Sequence, residues 1–249
     1  MEAATPEIPE RKKEEAPDFV LRFNWTQRLE HLMVMVTFLV LILTGLPQRY
    51  PQAGWAQWLI LHLGGIDLVR FIHRVSAFVF AFSGVYHLGR VSYDWLGRRL
   101  RPAMFVTFTD VRDAVASVRY YLGLSSWQPQ FDRYGYRQKF EYWGMVFGGS
   151  VMLVSGFVLM YPSLVTRLLP GDFIPAAKLA HGYEGLLAFL VVLVWHLYGA
   201  HLGPGRFPAD TSIFTGRISR KRLKEEHLLE YQRLSGGTDP QDDPPEGPA

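Results

Sequence analysis

Four long runs of apolar residues divide the chain. They lie at residues 29–46, 68–89, 140–161 and 179–202, and polar, proline-containing or glycine-containing stretches bound each of them. Each run is close to the length of about twenty residues that a helix needs to cross a hydrocarbon core about 30 Å thick. We therefore predict an all-α, integral membrane four-helix bundle, accompanied by shorter interfacial and cytoplasmic amphipathic helices.

Three shorter stretches predict helices outside the spans. Residues 54–65 are Trp-rich and too short to cross a membrane, so they suit an interfacial segment on the outer face. Residues 110–124 repeat apolar side chains at helical spacing with arginines elsewhere, which favours a cytoplasmic surface helix. Residues 219–234 mix both charges after Ser219, a suitable N-cap, and predict a solvated helix. No internal repeat stands out.

The distribution of basic residues predicts the orientation. Arginine and lysine are abundant between the second and third spans and after the fourth, whereas the two opposite loops have few. By the positive-inside rule, the basic faces are cytoplasmic. We expect an N-terminal cytoplasmic segment 1–28 without a removable signal peptide, a membrane domain 29–202, and a cytoplasmic C-terminal extension 203–249 that ends in a disordered tail.

The absence of cysteine narrows the possible chemistry. The chain has 249 residues, no cysteine and eight histidines. Without thiolates, this chain cannot hold an iron–sulfur cluster, a covalently attached c-type haem or a disulfide. Any redox centre must therefore be held by histidines.

Four histidines mark the ends of two spans. His73 and His87 are fourteen residues apart, and at about 1.5 Å and 100° per residue they lie on nearly one helix face, about 21 Å apart. His181 and His196 are fifteen apart, which corresponds to about 22 Å and about 60° of rotation. Because the spans alternate in direction, the outer face receives His73 and His181, and the cytoplasmic face receives His31, His87, His196 and His201.

This layout suits two haems, one in each leaflet. Two neutral imidazoles on one iron leave no coordination position open, which is typical of electron transfer. Spacing alone does not choose among the four cytoplasmic histidines, and a third haem, held by His31 with His201 or His87, is an alternative. His62 and His227 are expected at the surface. Basic residues that suit haem propionates are Arg70, Arg74 and Lys178 outside, and Arg28 and Arg90 inside.

A haem-free protein is the alternative from another class. Buried histidines, together with Glu184 three residues after His181, would then form a proton relay in a transporter or scaffold. Purified protein without colour would support that alternative.

Each span carries a motif of a known family. The first is RFNWTQRLEHLMVMVTFLVLILTGLP, the second HRVSAFVFAFSGVYH, the third KFEYWGMVFGGSVMLVSGFVLMYP and the fourth HGYEGLLAFLVVLVWHLYGAH. On these residues the chain resembles the cytochrome b (gamma) subunits of membrane-bound formate dehydrogenases and the related hydrogenase and thiosulfate reductase cytochromes. The closing FPADTSIFTGRIS and LKEEHLLEY are similar to a variant found beside multihaem c-type cytochromes.

The resemblance implies a dihaem, quinone-reactive anchor in the bacterial inner membrane. It implies haem b on His73 with His181 outside, and on His31 with His196 inside. The family's span-four histidines are fourteen apart, against fifteen here, which rotates His196 by about 100° and keeps His87 as an alternative partner.

The implied function is electron transfer within a respiratory oxidoreductase complex. The implied partners are a periplasmic iron–sulfur or multihaem c-type subunit, quinone as the substrate, and membrane lipid. No catalytic residue in this chain and no nucleic-acid partner are expected.

Overall fold

The computed structural model describes residues 18–100, 102–203 and 206–236. In chain order its elements are β1 (Phe19–Leu21), α1 (Trp25–Arg49), α2 (Gly54–His62), α3 (Ile66–Ser92), α4 (Phe108–Tyr121), α5 (Tyr136–Met160), α6 (Pro162–Val165), α7 (Phe173–Leu190), α8 (Ser212–Thr215), β2 (Arg217–Ser219), α9 (Arg220–Glu226) and α10 (Leu228–Leu234). The chain continues from α3 into a π-helical turn, Tyr93–Gly97, and from α7 into two π-helical stretches, Val191–His196 and Tyr198–Leu202.

The four-helix membrane architecture is confirmed. Helices α1, α3 and α5, and the 30-residue helical rod Phe173–Leu202 that begins with α7, are long and apolar enough to cross a membrane. Each begins before the corresponding predicted run. Helix α1 begins at a capping box, in which Asn24 accepts the Gln27 amide and the Gln27 side chain accepts the Asn24 amide, at 2.9 and 3.0 Å. Large side chains such as Phe82 and Val85 face outward, 66% and 70% exposed, as expected of a surface covered by lipid.

The long helices pack as two antiparallel pairs. Helix α1 packs mainly against α3, α5 packs mainly against α7, and α1 also meets α7 between the pairs. Small hydroxyl side chains lie buried at these contacts, and each donates to a carbonyl one turn earlier in its own helix: Thr37, Thr44, Ser83 and Ser155. We call the end where α1 begins and α7 finishes the proximal end, and the opposite end the distal end.

The segments that flank the bundle meet at the proximal end. Strand β1 pairs with β2 in antiparallel register, with Val20 opposite Ile218. The predicted single helix at 219–234 is instead two helices, α9 and α10, which are separated at His227. Ser219 caps α9 as predicted. The chain ends before α1 and after α7 are thus joined by backbone pairing, which sequence periodicity did not predict.

His227 is buried, so the prediction of a surface histidine at this position is wrong. It is 5% exposed, lies 3.1 Å from the Arg22 guanidinium and donates to the Asp132 carbonyl at 2.8 Å. Arg22 in turn pairs with the buried Glu230. Burial, and then the Arg22 charge, lower the pKa of His227. His62 is exposed, as predicted.

Helix α4 turns its polar face toward the protein. Asp110 and Ser117 are buried, and Asp110 accepts from Lys139 of α5 at 2.8 Å. The predicted apolar stripe faces outward instead, with Val111 and Val115 more than half exposed. Residues 1–17 of the predicted N-terminal segment 1–28 lie outside the described residues, and so do residues 237–249 of the predicted disordered tail.

Candidate functional site

A pair of histidines faces across the distal end of the bundle. His73 of α3 and His181 of α7 come from different helix pairs, and their ring centroids are 6.2 Å apart with the ring planes at 70°. A metal–imidazole nitrogen bond is about 2 Å long. The separation is therefore close to that of two imidazoles with one metal ion between them.

Hydroxyl groups fix the orientation of both distal rings. Thr44 Oγ1 donates to the Val40 carbonyl at 2.6 Å and lies 2.9 Å from His73 Nδ1. Because its only proton is already used, the hydroxyl oxygen accepts the Nδ1–H of His73. Likewise, Ser155 Oγ accepts the Nδ1–H of His181 at 3.0 Å, while it donates its own proton to the Val151 carbonyl at 2.6 Å. Both rings are thereby held as the tautomer whose Nε2 lone pair is free for a metal.

A glycine beside each hydroxyl gives its histidine room. A Cβ on Gly45 would lie 3.0 Å from His73 Cε1, and a Cβ on Gly156 would lie 3.2 Å from His181 Cε1. Both distances are shorter than ordinary van der Waals contact. The Thr44–Gly45 and Ser155–Gly156 dipeptides are thus matching supports, one on α1 and one on α5.

A second histidine pair lies at the proximal end. His31 of α1 and His196 of the α7 rod have ring centroids 6.2 Å apart and ring planes at 34°. His196 donates from Nδ1 to Glu141 of α5 at 2.8 Å. The π-helical stretch Val191–His196 ends at this residue. Since a π-helical turn takes up one extra residue, it offsets the rotation that the fifteen-residue spacing would otherwise impose.

His87 is engaged elsewhere. Its Nδ1 donates to Glu30 of α1 at 2.8 Å, and its Nε2 accepts from the Tyr142 hydroxyl of α5 at 3.0 Å. Arg90 holds the same Glu30 through two nitrogens, at 2.6 and 3.1 Å. Both ring nitrogens of His87 therefore have hydrogen-bond partners, and Arg90 already has a carboxylate.

Three buried polar atoms have no partner among the described residues: Arg28 Nε, Arg49 Nε and His201 Nδ1. Arg49 lies at the distal end, where its guanidinium stacks over the Tyr183 ring at 4.8 Å. A Cβ on Gly182, the residue after His181, would lie 2.9 Å from Arg49 Nε, so glycine is needed for this side chain to pass. Arg49 thus lies beside the distal pair with one nitrogen unpartnered. Arg28, three residues before His31, donates from Nη2 to the Phe214 carbonyl but leaves its Nε unpartnered. An arginine nitrogen without a partner suits a carboxylate ligand.

The two helix pairs repeat one arrangement that sequence inspection missed. Glu30 and Thr44 on α1 are fourteen residues apart, and so are Glu141 and Ser155 on α5. In each pair the hydroxyl accepts from a distal histidine and the carboxylate accepts from a proximal one. The shared pattern, a glutamate followed at fourteen residues by Thr-Gly or Ser-Gly, is the signal that would have revealed it.

The two ring separations, the free Nε2 atoms of the distal pair and the unpartnered Nε atoms of Arg49 and Arg28 together fit a haem between the helices at each end. The sequence pattern that defines prokaryotic cytochrome b561 matches residues 22–215, which include all four long helices. The chain belongs to this family. It is therefore a multi-pass membrane haem protein of the cytochrome b561 type. Membership of this family implies haem b and a role in electron transfer. The haem-free alternative is set aside.

Curated relatives point in the same direction. The chain is 21% identical over 231 residues to the cytochrome b556(fdo) subunit of formate dehydrogenase from Escherichia coli K12, and the match covers 89% of this chain and 96% of the relative. The corresponding subunits of E. coli O6:H1 and O157:H7 match to the same extent. The expected resemblance to formate dehydrogenase cytochromes is thus confirmed as distant homology.

The predicted supporting residues differ from the observed ones. Glu184, the residue suggested for a proton relay with His181, lies against Gly148 of α5, and Ser155 holds the His181 ring. The sequence did not predict Arg49 as a propionate partner, because the position of its side chain depends on how α1 packs against α7.

Proposed function

We propose that this protein is a dihaem cytochrome b subunit that carries electrons across the membrane between a periplasmic redox partner and the quinone pool. His73 with His181 would hold one haem at the distal end, and His31 with His196 would hold the other at the proximal end. The observation that carries the proposal is the pair of equal ring separations, 6.2 Å each, at opposite ends of the bundle. A haem held by two imidazoles accepts and releases single electrons.

The chain's own residues tune the two sites differently. Neutral hydroxyls accept the Nδ1–H of both distal histidines, whereas the Glu141 carboxylate accepts that of His196. A carboxylate makes the imidazole a stronger electron donor. Arg49 and Arg28, each with a buried nitrogen lacking a partner, supply charge for propionates at the distal and proximal sites.

The arginine-rich segments support a cytoplasmic proximal end in the bacterial inner membrane, with both termini on that side. The distal end then faces the periplasm. The relatives' description as formate dehydrogenase subunits supports a partner within an enzyme complex. We propose that this partner is an iron–sulfur or multihaem c-type protein on the periplasmic face. Electron flow in either direction is compatible with this arrangement, and the protein acts within a complex.

The test begins with purified protein in detergent. We expect two non-covalent b haems per chain in a pyridine haemochrome assay, and a reduced-minus-oxidised difference spectrum typical of bis-histidine haem. His181→Ala and His31→Ala should each lose one haem, whereas His62→Ala, at an exposed position, should keep both. Colourless, folded protein would refute the proposal.

The same assay tests the remaining ligand alternatives. We expect His87→Ala to retain two haems, because both of its ring nitrogens are already hydrogen-bonded. Three haems per chain would instead support a third site that includes His201 or His87. Loss of one haem in His87→Ala with retention of both in His31→Ala would reassign the partner of His196.

A further inference from the structure

We propose that Tyr142 and His87 form a proton-transfer relay for a quinone that exchanges electrons with the proximal haem site. This inference rests on the proposed function and names residues of the chain that act on its substrate. The relay runs from the Tyr142 hydroxyl to His87 Nε2, 3.0 Å away, and His87 Nδ1 is held by Glu30 at 2.8 Å. A hydroxyl, an imidazole and a carboxylate in series are a recurrent arrangement for moving one proton.

Consecutive residues on α1, and again on α5, connect the relay to the proximal histidine pair. On α1, Glu30 contacts His87 while its neighbour His31 faces His196. On α5, Tyr142 contacts His87 while its neighbour Glu141 contacts His196. Protons and electrons therefore meet at the proximal end of the bundle, where conversion between quinol and quinone needs both.

Polar and charged groups from three helices surround His87 and its carboxylate partner. The groups that face it are Glu30 from α1, Tyr142 from α5 and Arg90 from its own helix, and Asp94 lies 3.8 Å from Arg90. Arg90 binds Glu30 through two nitrogens and so fixes the position of its carboxylate. The carboxylate in turn orients the His87 ring through Nδ1, as the buried aspartate does in a catalytic triad.

The surface beside His87 is open to a ligand from the membrane. Gly84 lies three residues before His87 on α3, on the same side of the helix, and a Cβ there would meet no atom within 4 Å. The His87 side chain itself is 28% exposed. A quinone that approaches along Gly84 would reach the relay at His87, whose Nε2 accepts from the Tyr142 hydroxyl.

The proton and electron balance is complete for quinol oxidation. The Tyr142 oxygen accepts a proton from a quinol hydroxyl while its own proton passes to His87 Nε2, and one electron leaves for the redox site proposed at His31 and His196. His87 then releases its proton at the proximal face. A second cycle removes the second proton and electron and yields quinone. Quinone reduction follows the same path in reverse.

The test is stopped-flow reduction of the complete, haem-loaded protein by decylubiquinol, with the dithionite-reduced spectrum and haem count as a separate readout. Tyr142→Phe and His87→Gln should lower the rate about a hundredfold or more, the usual contribution of a positioned proton carrier. Their haem count and spectrum should match the wild type. Tyr161→Phe, at the other end of α5, should react at the wild-type rate.

The pH profile separates a relay from a structural role. The wild-type rate should depend on pH, because the proposed step moves a proton, and His87→Gln should weaken that dependence. Equal rates in wild type, Tyr142→Phe and His87→Gln would overturn the relay but not the haem proposal. Loss of a haem in His87→Gln would also overturn it, because His87 would then be a ligand. Absence of haem from the wild type would refute the proposed function itself.

Discussion

The hydroxyl of Thr44 provides the sharpest test of how the bundle holds a proposed haem ligand. Thr44 is 3% exposed and its oxygen accepts the Nδ1–H of His73 at 2.9 Å. Thr44→Val keeps the shape of the side chain but removes the acceptor. A buried donor left without a partner costs about 1–3 kcal/mol. This corresponds to a loss of about 5-fold to 150-fold in affinity for the distal haem, similar to the 10–100-fold typical of residues that support a metal ligand.

The same helix offers a matched control. Thr37, two turns earlier on α1, is 8% exposed and donates to the Met33 carbonyl at 2.7 Å, as Thr44 donates to Val40. Among the described residues its hydroxyl has no histidine partner. Thr37→Val therefore removes an equivalent hydroxyl without touching a ligand. Thr44→Ser restores the acceptor and should restore the affinity.

Haem transfer to excess apomyoglobin measures the effect. We expect one of the two haems of Thr44→Val to leave faster than in the wild type, Thr37→Val or Thr44→Ser, while the other leaves at the wild-type rate. Ser155→Ala should weaken the same haem from the opposite side, with Ser83→Ala as its control. Equal haem loss from Thr44→Val and Thr37→Val would show that the hydroxyl does not support the ligand.

Three further changes test other parts of the structure. Glu141→Gln replaces a charged acceptor with a neutral one, so the proximal haem's reduction potential should rise in a redox titration; an unchanged potential would contradict this. Gly156→Ala places a Cβ 3.2 Å from His181 Cε1, and haem content after purification should fall. His227, whose pKa is lowered by burial and by Arg22, is protonated more readily in the unfolded chain. The stability that the neutral, buried His227 contributes is complete above about pH 6.5 and is lost at lower pH. Proteolysis of the C-terminal segment should therefore accelerate from pH 7.5 to 5.5, and it should accelerate less in His227→Gln.

The glutamate and hydroxyl side chains repeated on α1 and α5 show how one bundle could orient histidines for two proposed haem sites. Glu30 and Thr44 are separated by about 21 Å along α1, as are Glu141 and Ser155 along α5, which is close to the separation of the two membrane leaflets' centres. The same pair of side chains therefore serves both ends of the bundle from each helix. The two copies differ at the following residue, His31 on α1 and Tyr142 on α5, and this difference distinguishes the proposed haem ligand from the proposed proton carrier.

Hydrophobic periodicity alone determined the four long helices and their alternating direction. Once direction and a rise of about 1.5 Å per residue are known, the depth of each histidine follows, so His73 and His181 were expected at one end and His31 and His196 at the other. The lack of cysteine left histidine as the ligand for any redox metal. These conclusions depend only on local helix geometry and on composition.

The tertiary structure decided which side chains meet. The direction of His196 depends on the π-helical stretch Val191–His196, and a regular helix extrapolated from the sequence rotates this side chain away. His87 could not be separated from His31 by spacing, because the contacts that engage it, from Glu30 and Tyr142, come from two other helices. Likewise, His227 is buried by residues distant in the chain. Helix rotation and the packing of separate segments are long-range properties, and a one-dimensional pattern records depth in the membrane but not direction around a helix axis.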